Sequence, residues 1–245
     1  MLSKTIVKYI QSLAHKKFRD EHGVFIAEGP KLVTDLITSK QFDVKMICAT
    51  DQWLNENIFF LKDIKAEDIF DVKEADLEKI SLLTSPNKVL AVFYKKAEDI
   101  SSPENGVSIM LDDIQDPGNM GTIIRIADWF GIKNIICSTG CVDSFNPKVV
   151  QASMGSIARV NIIYTDPVEF IKKNKGIDLY AASLGGKNIS TFKIKKGIIL
   201  IGNEGRGINE NLLQYAKEHI TIPKRGEAES LNAAVACGII LSHVL

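Results

Sequence analysis

Residues 197–201 read Gly-Ile-Ile-Leu-Ile, an apolar run with no alternation in it. A strand with one face in water alternates apolar and polar residues, whereas a strand without alternation has to be covered on both faces. Runs of this kind recur in the second half of the chain, separated by segments of helical length. That pattern predicts strands at Val107–Leu111, Asn134–Cys137, Ile157–Ile163, Leu179–Ala182, Gly197–Ile201 and His219–Ile222. Helices are expected at Asn119–Phe130, Lys148–Met154, Pro167–Lys173, Glu210–Tyr215 and Ser230–Val244. Strands alternating with helices specify an α/β fold, here a mostly parallel sheet with helices on both faces.

A polar stretch, Lys-Lys-Ala-Glu-Asp-Ile-Ser-Ser-Pro-Glu-Asn-Gly at 95–106, divides the chain. The reading is a first domain at 1–96, a linker at 97–106 and a second domain at 107–245. In the first domain, Ile6, Val7, Ile10, Leu13, Ala14 and Phe18 recur at helical spacing. Strands follow at Val24–Glu28, Val44–Ala49 and Val89–Tyr94, with helices at Lys31–Ser39 and Asp76–Leu83, making a small α/β domain. Charge within it is uneven: residues 1–20 hold five bases and one acid, while residues 51–80 hold nine acids and four bases. Lys4, Lys8, Lys16, Lys17 and Arg19 make the first helix basic, as a solvated face or as a phosphate-contacting one.

Thirty basic and thirty acidic residues cancel over the 245 positions, so any nucleic-acid surface has to be local. Cys48, Cys137, Cys141 and Cys237 form no CxxC pair, and the four histidines form no HExxH. No metal site is therefore expected, and unpaired cysteines fit a reducing compartment. The N-terminus has no apolar signal core, and the longest apolar run, Ala233–Leu241, is about half a membrane span. A cytoplasmic protein with no membrane partner is expected. No GxGxxG follows a strand and no GxxxxGK[ST] occurs, so a Rossmann dinucleotide site and a phosphate-binding P-loop lose their main support. Gly185-Gly186-Lys187-Asn188 reads as a turn.

Three segments carry the chemistry. Leu111-Asp112-Asp113-Ile114-Gln115-Asp116-Pro117-Gly118-Asn119-Met120-Gly121 leaves a strand, crosses a Pro/Gly loop and enters a helix that holds Arg125. Ligands of open α/β sheets bind beyond the carboxyl ends of the strands. Leu200-Ile201-Gly202-Asn203-Glu204-Gly205-Arg206-Gly207 surrounds a carboxylate and a guanidinium with three glycines. Ile222-Pro223-Lys224-Arg225-Gly226-Glu227-Ala228-Glu229-Ser230-Leu231-Asn232 leads into the last helix, with Ser230 as the expected N-cap. Only five of the thirty basic residues are arginine, and three of them, Arg125, Arg206 and Arg225, lie in these segments. The planar fork of arginine suits phosphate in a way that lysine does not.

Together the segments resemble the SpoU/TrmH family of RNA ribose 2′-O-methyltransferases, within the SPOUT superfamily. The resemblance runs throughout 107–245. Residues 18–33 resemble the start of the family's accessory RNA-binding domain, an α/β/α unit similar to ribosomal proteins that bind kinked RNA. The resemblance implies a trefoil knot near the C-terminus that binds S-adenosyl-L-methionine, largely through backbone groups at Gly202, Ile222 and Leu231, with Ser183 and Leu184 as weaker candidates. It implies a homodimer through the C-terminal domain. It places Asn119, Arg125, Glu204, Ser230 and Asn232 in the catalytic site. The neutral overall charge confines the expected RNA-binding surface to Lys4, Lys8, Lys16, Lys17 and Arg19 with Arg125, Arg206 and Arg225.

An arginine is effectively always protonated and is a poor general base. The reading is that Arg125 holds an RNA phosphate beside the ribose 2′-hydroxyl, and that this phosphate or a water takes the proton. Two departures from the family pattern stand out, Ile126 where threonine is usual and Lys224 where an apolar residue is common. The substrate reading favours ribosomal RNA, with transfer RNA as the alternative. The competing class is a non-catalytic RNA-binding ribosome-assembly factor.

Overall fold

The computed structural model describes residues 2–96 and 106–245. The expected linker at 97–106 lies outside the described residues except for Gly106. The chain forms two compact units, Met1–Ala97 with Phe145–Ala158, and Glu98–Ser144 with Arg159–Leu245. The linear division therefore separates the two sheets, while the segment Phe145–Ala158, expected with the second domain, packs with the first unit.

The first unit opens with α1 (Lys4–Ser12) and α2 (Lys16–His22) in place of one continuous amphipathic helix. The Ser3 hydroxyl caps α1 by accepting from the Ile6 amide at 3.2 Å. Gly23, at φ 62°, ends α2 in the left-handed conformation. Then follow β1 (Val24–Glu28), α3 (Pro30–Ser39), β2 (Val44–Ala49), α4 (Asp51–Glu56), β3 (Ile69–Asp71), α5 (Glu74–Ile80) and β4 (Val89–Tyr94). The four strands lie in the order β1-β4-β2-β3, antiparallel except for the β2–β3 pair. Of the expected apolar stripe, Ile10 and Leu13 are fully buried in a cluster with Val24, Ile26, Leu77, Ile80, Leu90 and Val92, while Ile6, Val7, Ala14 and Phe18 are half-buried. The short α4 and β3 carry no readable periodicity. Helix α5 stops at Ile80, short of the expected Leu83, because the buried Glu28 carboxylate captures the next residues. It accepts from the Ser81 hydroxyl, and from the Leu82 amide at 2.9 Å.

The second sheet is built from β5 (Val107–Leu111), β6 (Asn134–Cys137), β7 (Asn161–Tyr164), β8 (Leu179–Asn188), β9 (Gly197–Ile201) and β10 (Glu218–Thr221). Its order is β10-β8-β9-β5-β6-β7 and every pairing is parallel. Its helices are α6 (Pro117–Trp129), α8 (Pro167–Lys173), α9 (Glu210–Leu213) and α10 (Ala233–Val244), while α7 (Pro147–Ser153) packs with the first unit. Met110, Ile198 and Leu200 pack with Phe170 of α8 and Leu212 of α9. The alternate residues Ile109, Leu111, Ile199 and Ile201 are buried as well, so the sheet is covered on both faces as its apolar runs require. The strand expected at Ile157–Ile163 begins only at Asn161. Gly155, at φ 87°, turns the chain, and Ser156–Ala158 closes as a short 3-10 helix.

Burial pushes the Glu28 carboxyl up from its ordinary value, against the lowering effect of the Ser81 and Leu82 hydrogen bonds. The native protein therefore holds this proton to higher pH than the unfolded chain, and stability falls as pH rises past the ordinary glutamate range. Glu28→Gln keeps an acceptor for Leu82 and removes the titration. Thermal melts between about pH 4 and pH 8 should show a flatter pH dependence in the variant.

Candidate active site at the carboxyl ends of the parallel strands

Beyond β5, Asp116 caps α6 by accepting from the Asn119 amide at 2.8 Å, and Pro117 occupies the first turn. This fixes the backbone of Asn119 and leaves its side chain free to bond elsewhere. Its Nδ2 donates to Glu204 Oε1, and its Oδ1 accepts from Asn232 Nδ2 at 2.7 Å. Asn232 Oδ1 is the cap of α10, accepting from Ala234 N at 3.0 Å and Val235 N at 3.2 Å. Since an ionised Glu204 can only accept and the Asn232 oxygen is committed to the helix, the orientation of both amides is determined. The structure thus brings Asn119, Glu204 and Asn232 together.

The loop carrying Glu204 is closed by its own backbone. Asn203 and Gly207 exchange N–H···O bonds of 3.0 and 2.9 Å, and Asn203 Oδ1 accepts from Gly205 N and Arg206 N. A Cβ at Gly202 would lie 2.5 Å from the Gly207 carbonyl carbon, so glycine is needed there for the loop to close. Asn203 Nδ2 donates to Asp113 O at 2.9 Å. Asp113 sits at φ 59°, a left-handed conformation that aspartate tolerates better than most residues. Its amide donates to Ser138 Oγ at 2.9 Å, and its Oδ2 pairs with Arg206 at 2.9 Å. Asp112 Oδ2 accepts from Asn209 N at 2.8 Å. The sequence marks Asp112, Asp113 and Asn203 only as members of their segments. The doublet of acids leaving a buried strand was the available signal. Beside them, Cys141 Sγ accepts from Ile114 N at 3.3 Å. Hydrogen bonding, first from Cys137, brings the Cys141 thiol down to about 7, whereas burial pushes Cys48 and Cys237 up to about 12.

The cofactor candidates fall past the ends of neighbouring strands. Gly202 follows β9, Ile222 follows β10, and Leu231 precedes α10. Ser183 and Leu184 lie where β8 bows away from β10: Ala181 pairs with His219, but the next pair is Lys187 with Ile220. Gly186 is therefore part of a strand, not of the expected turn, and a Cβ there would lie 2.6 Å from the His219 backbone. Ser183 Oγ lies 3.2 Å from His219 Nδ1. Leu184 and Leu231 are 75% and 45% exposed.

Two expectations are corrected. Ser230 does not cap the last helix; Asn232 does, because its amide also reaches Asn119. Ser230 is exposed and has no hydrogen-bond partner among the described residues. Arg19 is 1% exposed, with Nη1 donating to Leu13 O and Ala14 O, and so does not belong to the RNA-binding set. Lys4, Lys8, Lys16 and Lys17 are exposed on α1 and α2. Arg125 and Arg225 are exposed with no ion-pair partner among the described residues.

The SpoU rRNA Methylase family matches residues 106–242, and the MRM3-like substrate binding domain matches residues 4–91. A 23S rRNA (guanosine(2553)-2′-O)-methyltransferase of Bacillus subtilis, RlmP, is 27% identical, covering 97% of this chain and 95% of its own length. A solved RNA methyltransferase of the TrmH family from Porphyromonas gingivalis superposes with a TM-score of 0.88 at 34% identity, over 99% of this chain and 98% of that one. An AdoMet-bound rRNA methyltransferase from Sinorhizobium meliloti gives 0.88 at 32% identity, over 100% and 96%.

Asn232 does two jobs that substitutions can separate. Asn232→Ala removes the cap and should cost about 1 kcal/mol of stability in thermal or denaturant unfolding. Asn232→Asp keeps the cap oxygen but loses the donor to Asn119. It should retain most of that stability while shifting the Asn119 side-chain amide resonances in an NMR spectrum.

Proposed function

The chain belongs to the SpoU rRNA methylase family, and from that premise we propose that it transfers a methyl group from S-adenosylmethionine to a ribose 2′-hydroxyl of ribosomal RNA. One arrangement carries this reading. Asn119, Glu204 and Asn232 tie together three loops at the carboxyl end of the sheet, while Arg125, on α6, stands exposed and unpaired among the described residues. The B. subtilis relative is named as a ribose 2′-O-methyltransferase of 23S rRNA, which favours ribosomal over transfer RNA. Lys4, Lys8, Lys16 and Lys17 supply exposed positive charge on the unit that matches a substrate binding domain.

The residues in the bow of β8 and past β9 and β10 fit the cofactor. Exposed Leu184 and Leu231 with half-buried Ile222 offer apolar surface to a flat base, next to loop backbone that can read its polar edge. Gly202, Ile222 and Leu231, with Ser183 and Leu184, would hold it there. Bound S-adenosylmethionine supplies the electrophilic methyl of its sulfonium. The work of the protein is then positioning. Arg125 grips an RNA phosphate through its planar fork. That grip aligns the 2′-hydroxyl, whose proton passes to the phosphate or to a water as the oxygen attacks. Orientation of this kind can be worth on the order of 7–11 kcal/mol. Glu204, engaged by Asn119, holds the second loop in register with the first.

Two features of architecture complete the proposal. The trefoil knot is supported by the path of the last segment: β10 lies at the sheet edge, yet α10 returns to pack on α6 and on the Ile189–Thr191 turn that follows β8. The homodimer is supported by apolar exposure on this α6–α10 pair, where Trp129 is 86% and Val235 51% exposed. Gly238 of α10 faces Ile126 of α6. Thr122, Arg125 and Trp129 share one stripe of α6 by helical spacing, so pairing of two copies would bring Arg125 to the interface. The four free cysteines agree with a reducing cytoplasm.

The test is transfer of labelled methyl to undermethylated ribosomal RNA and to transfer RNA, followed by nucleoside digestion. Label should appear as a 2′-O-methylnucleoside of ribosomal RNA. Arg125→Ala should lose about 100-fold or more in rate, consistent with the loss of a transition-state contact. Arg125→Lys should recover little of it, and full activity in that variant would refute the role of the fork. Trp129→Glu should shift sedimentation from dimer to monomer, with activity falling in parallel.

A further inference from the structure

The surface of the first unit carries an apolar feature that the proposed chemistry does not use. Between α4 and β3, Ile58, Phe59 and Phe60 are 66%, 71% and 39% exposed. The turn that presents them is tied down at both ends. Asn57 N donates to Trp53 O at 3.1 Å and Asn57 Nδ2 to the same oxygen at 2.9 Å. Phe60 N donates to Asn57 O at 2.9 Å, and Ile64 N to Leu61 O at 3.0 Å. Leu61 is only 8% exposed and roots the turn in the unit. With Leu61 inward and the backbone closed, the three residues before it are held outward. Adjacent exposed side chains of this size mark an interaction site more often than an ordinary surface.

Charge identifies the occupant. Glu56 and Asp63 flank the turn directly, and residues 51–71 contain six carboxylates against two lysines. One of those lysines, Lys62, already lies over the Phe59 ring, 4.5 Å from its centroid. Aromatic side chains that stack on RNA bases work beside phosphate-binding cations, and this neighbourhood repels phosphate. A metal is not the explanation, since no cluster of ligating side chains occurs among the described residues. An apolar tip flanked along the chain by carboxylates is complementary to a lysine- or arginine-rich protein surface with an apolar recess at its centre.

We propose that the Asn57–Lys62 turn docks on a basic polypeptide segment of the ribonucleoprotein particle that carries the target RNA, and not on the RNA. The inference rests on the ribosomal RNA reading for its choice of particle. It divides the substrate between two surfaces of one unit: lysines of α1 and α2 for RNA, and the aromatic turn for protein.

The experiment places p-benzoylphenylalanine at position 59 of the full chain and irradiates it with large ribosomal subunits from a strain lacking the methylation. The expected adduct is destroyed by protease, resists RNase and maps to a lysine- or arginine-rich peptide. It should disappear when Ile58→Ser and Phe60→Ser are added, with the melting temperature unchanged. In parallel, Phe59→Ser should raise the half-saturating particle concentration for methyl transfer about tenfold, the effect of one apolar anchor, and leave transfer to naked RNA unaltered. An RNase-sensitive adduct, an adduct to a second copy of the chain, or no adduct would each overturn the proposal. Methyl transfer to the same particles separates the two readings: transfer without an adduct rejects the docking surface alone, whereas absence of transfer rejects the ribosomal RNA reading.

Discussion

A single carboxamide holds the second unit's loops in register. Asn119 uses its one donor group on Glu204 and its acceptor on Asn232, partners 85 and 113 residues away in the chain. Each partner belongs to a segment that starts at the carboxyl end of a different parallel strand. The backbone of each segment is secured separately, by the Asp116 cap, the Asn203–Gly207 bridge and the Asn232 cap. What those local devices cannot set is the relation between the loops, and the amide chain sets it. Because all three side chains are polar and only partly covered, water competes for every bond in the chain, so its rigidity depends on these caps being intact.

The sheet was largely legible because continuous apolar runs have few alternatives. Gly197–Ile201 and Asn134–Cys137 appear with the expected bounds. Strand β8 was not fully legible. Gly185-Gly186 has the composition of a turn, and only the ladder to β10, which resumes at Lys187, shows that the chain bows and continues. In the site, Asn119 and Glu204 stood out from the glycine around them. Ser230 and Asn232 are both good caps two positions apart, and propensity alone does not choose between them. The tertiary bond to Asn119 does. Asp113 was hidden for the same reason: a left-handed aspartate is useful only where Ser138 and Asn203 are present to hold its amide and its carbonyl.

The arginines show that scarcity alone does not mark a phosphate contact. Scarce arginine among abundant lysine does indicate places where a planar fork is needed. A fork satisfies carbonyl oxygens as readily as phosphate oxygens, and at the end of a helix the carbonyls are waiting. Arg19 closes the break between α1 and α2 by donating to Leu13 O and Ala14 O. Arg159 pairs with Asp128 and Arg206 with Asp113. Once these are accounted for, Arg125 and Arg225 are the arginines with no ion-pair partner among the described residues. A better criterion than rarity is a fork left without a partner, which only the folded chain reveals.

Zero net charge is therefore weak evidence against an RNA substrate. Binding through counterion release depends on the cations that face phosphate, not on the sum over the chain. Here the first unit concentrates bases in its first twenty residues and acids between 51 and 80. The two regions cancel in the total while producing fields of opposite sign on the same small domain. Such a domain would gain little from a uniformly basic surface if its target lies within a particle built from both RNA and basic protein. The acids would resist misplaced phosphate at the aromatic turn, and the lysines would resist a basic protein at α1 and α2. On that proposal the separated charges would orient the domain on its substrate, because either reversed contact would place like charges against each other.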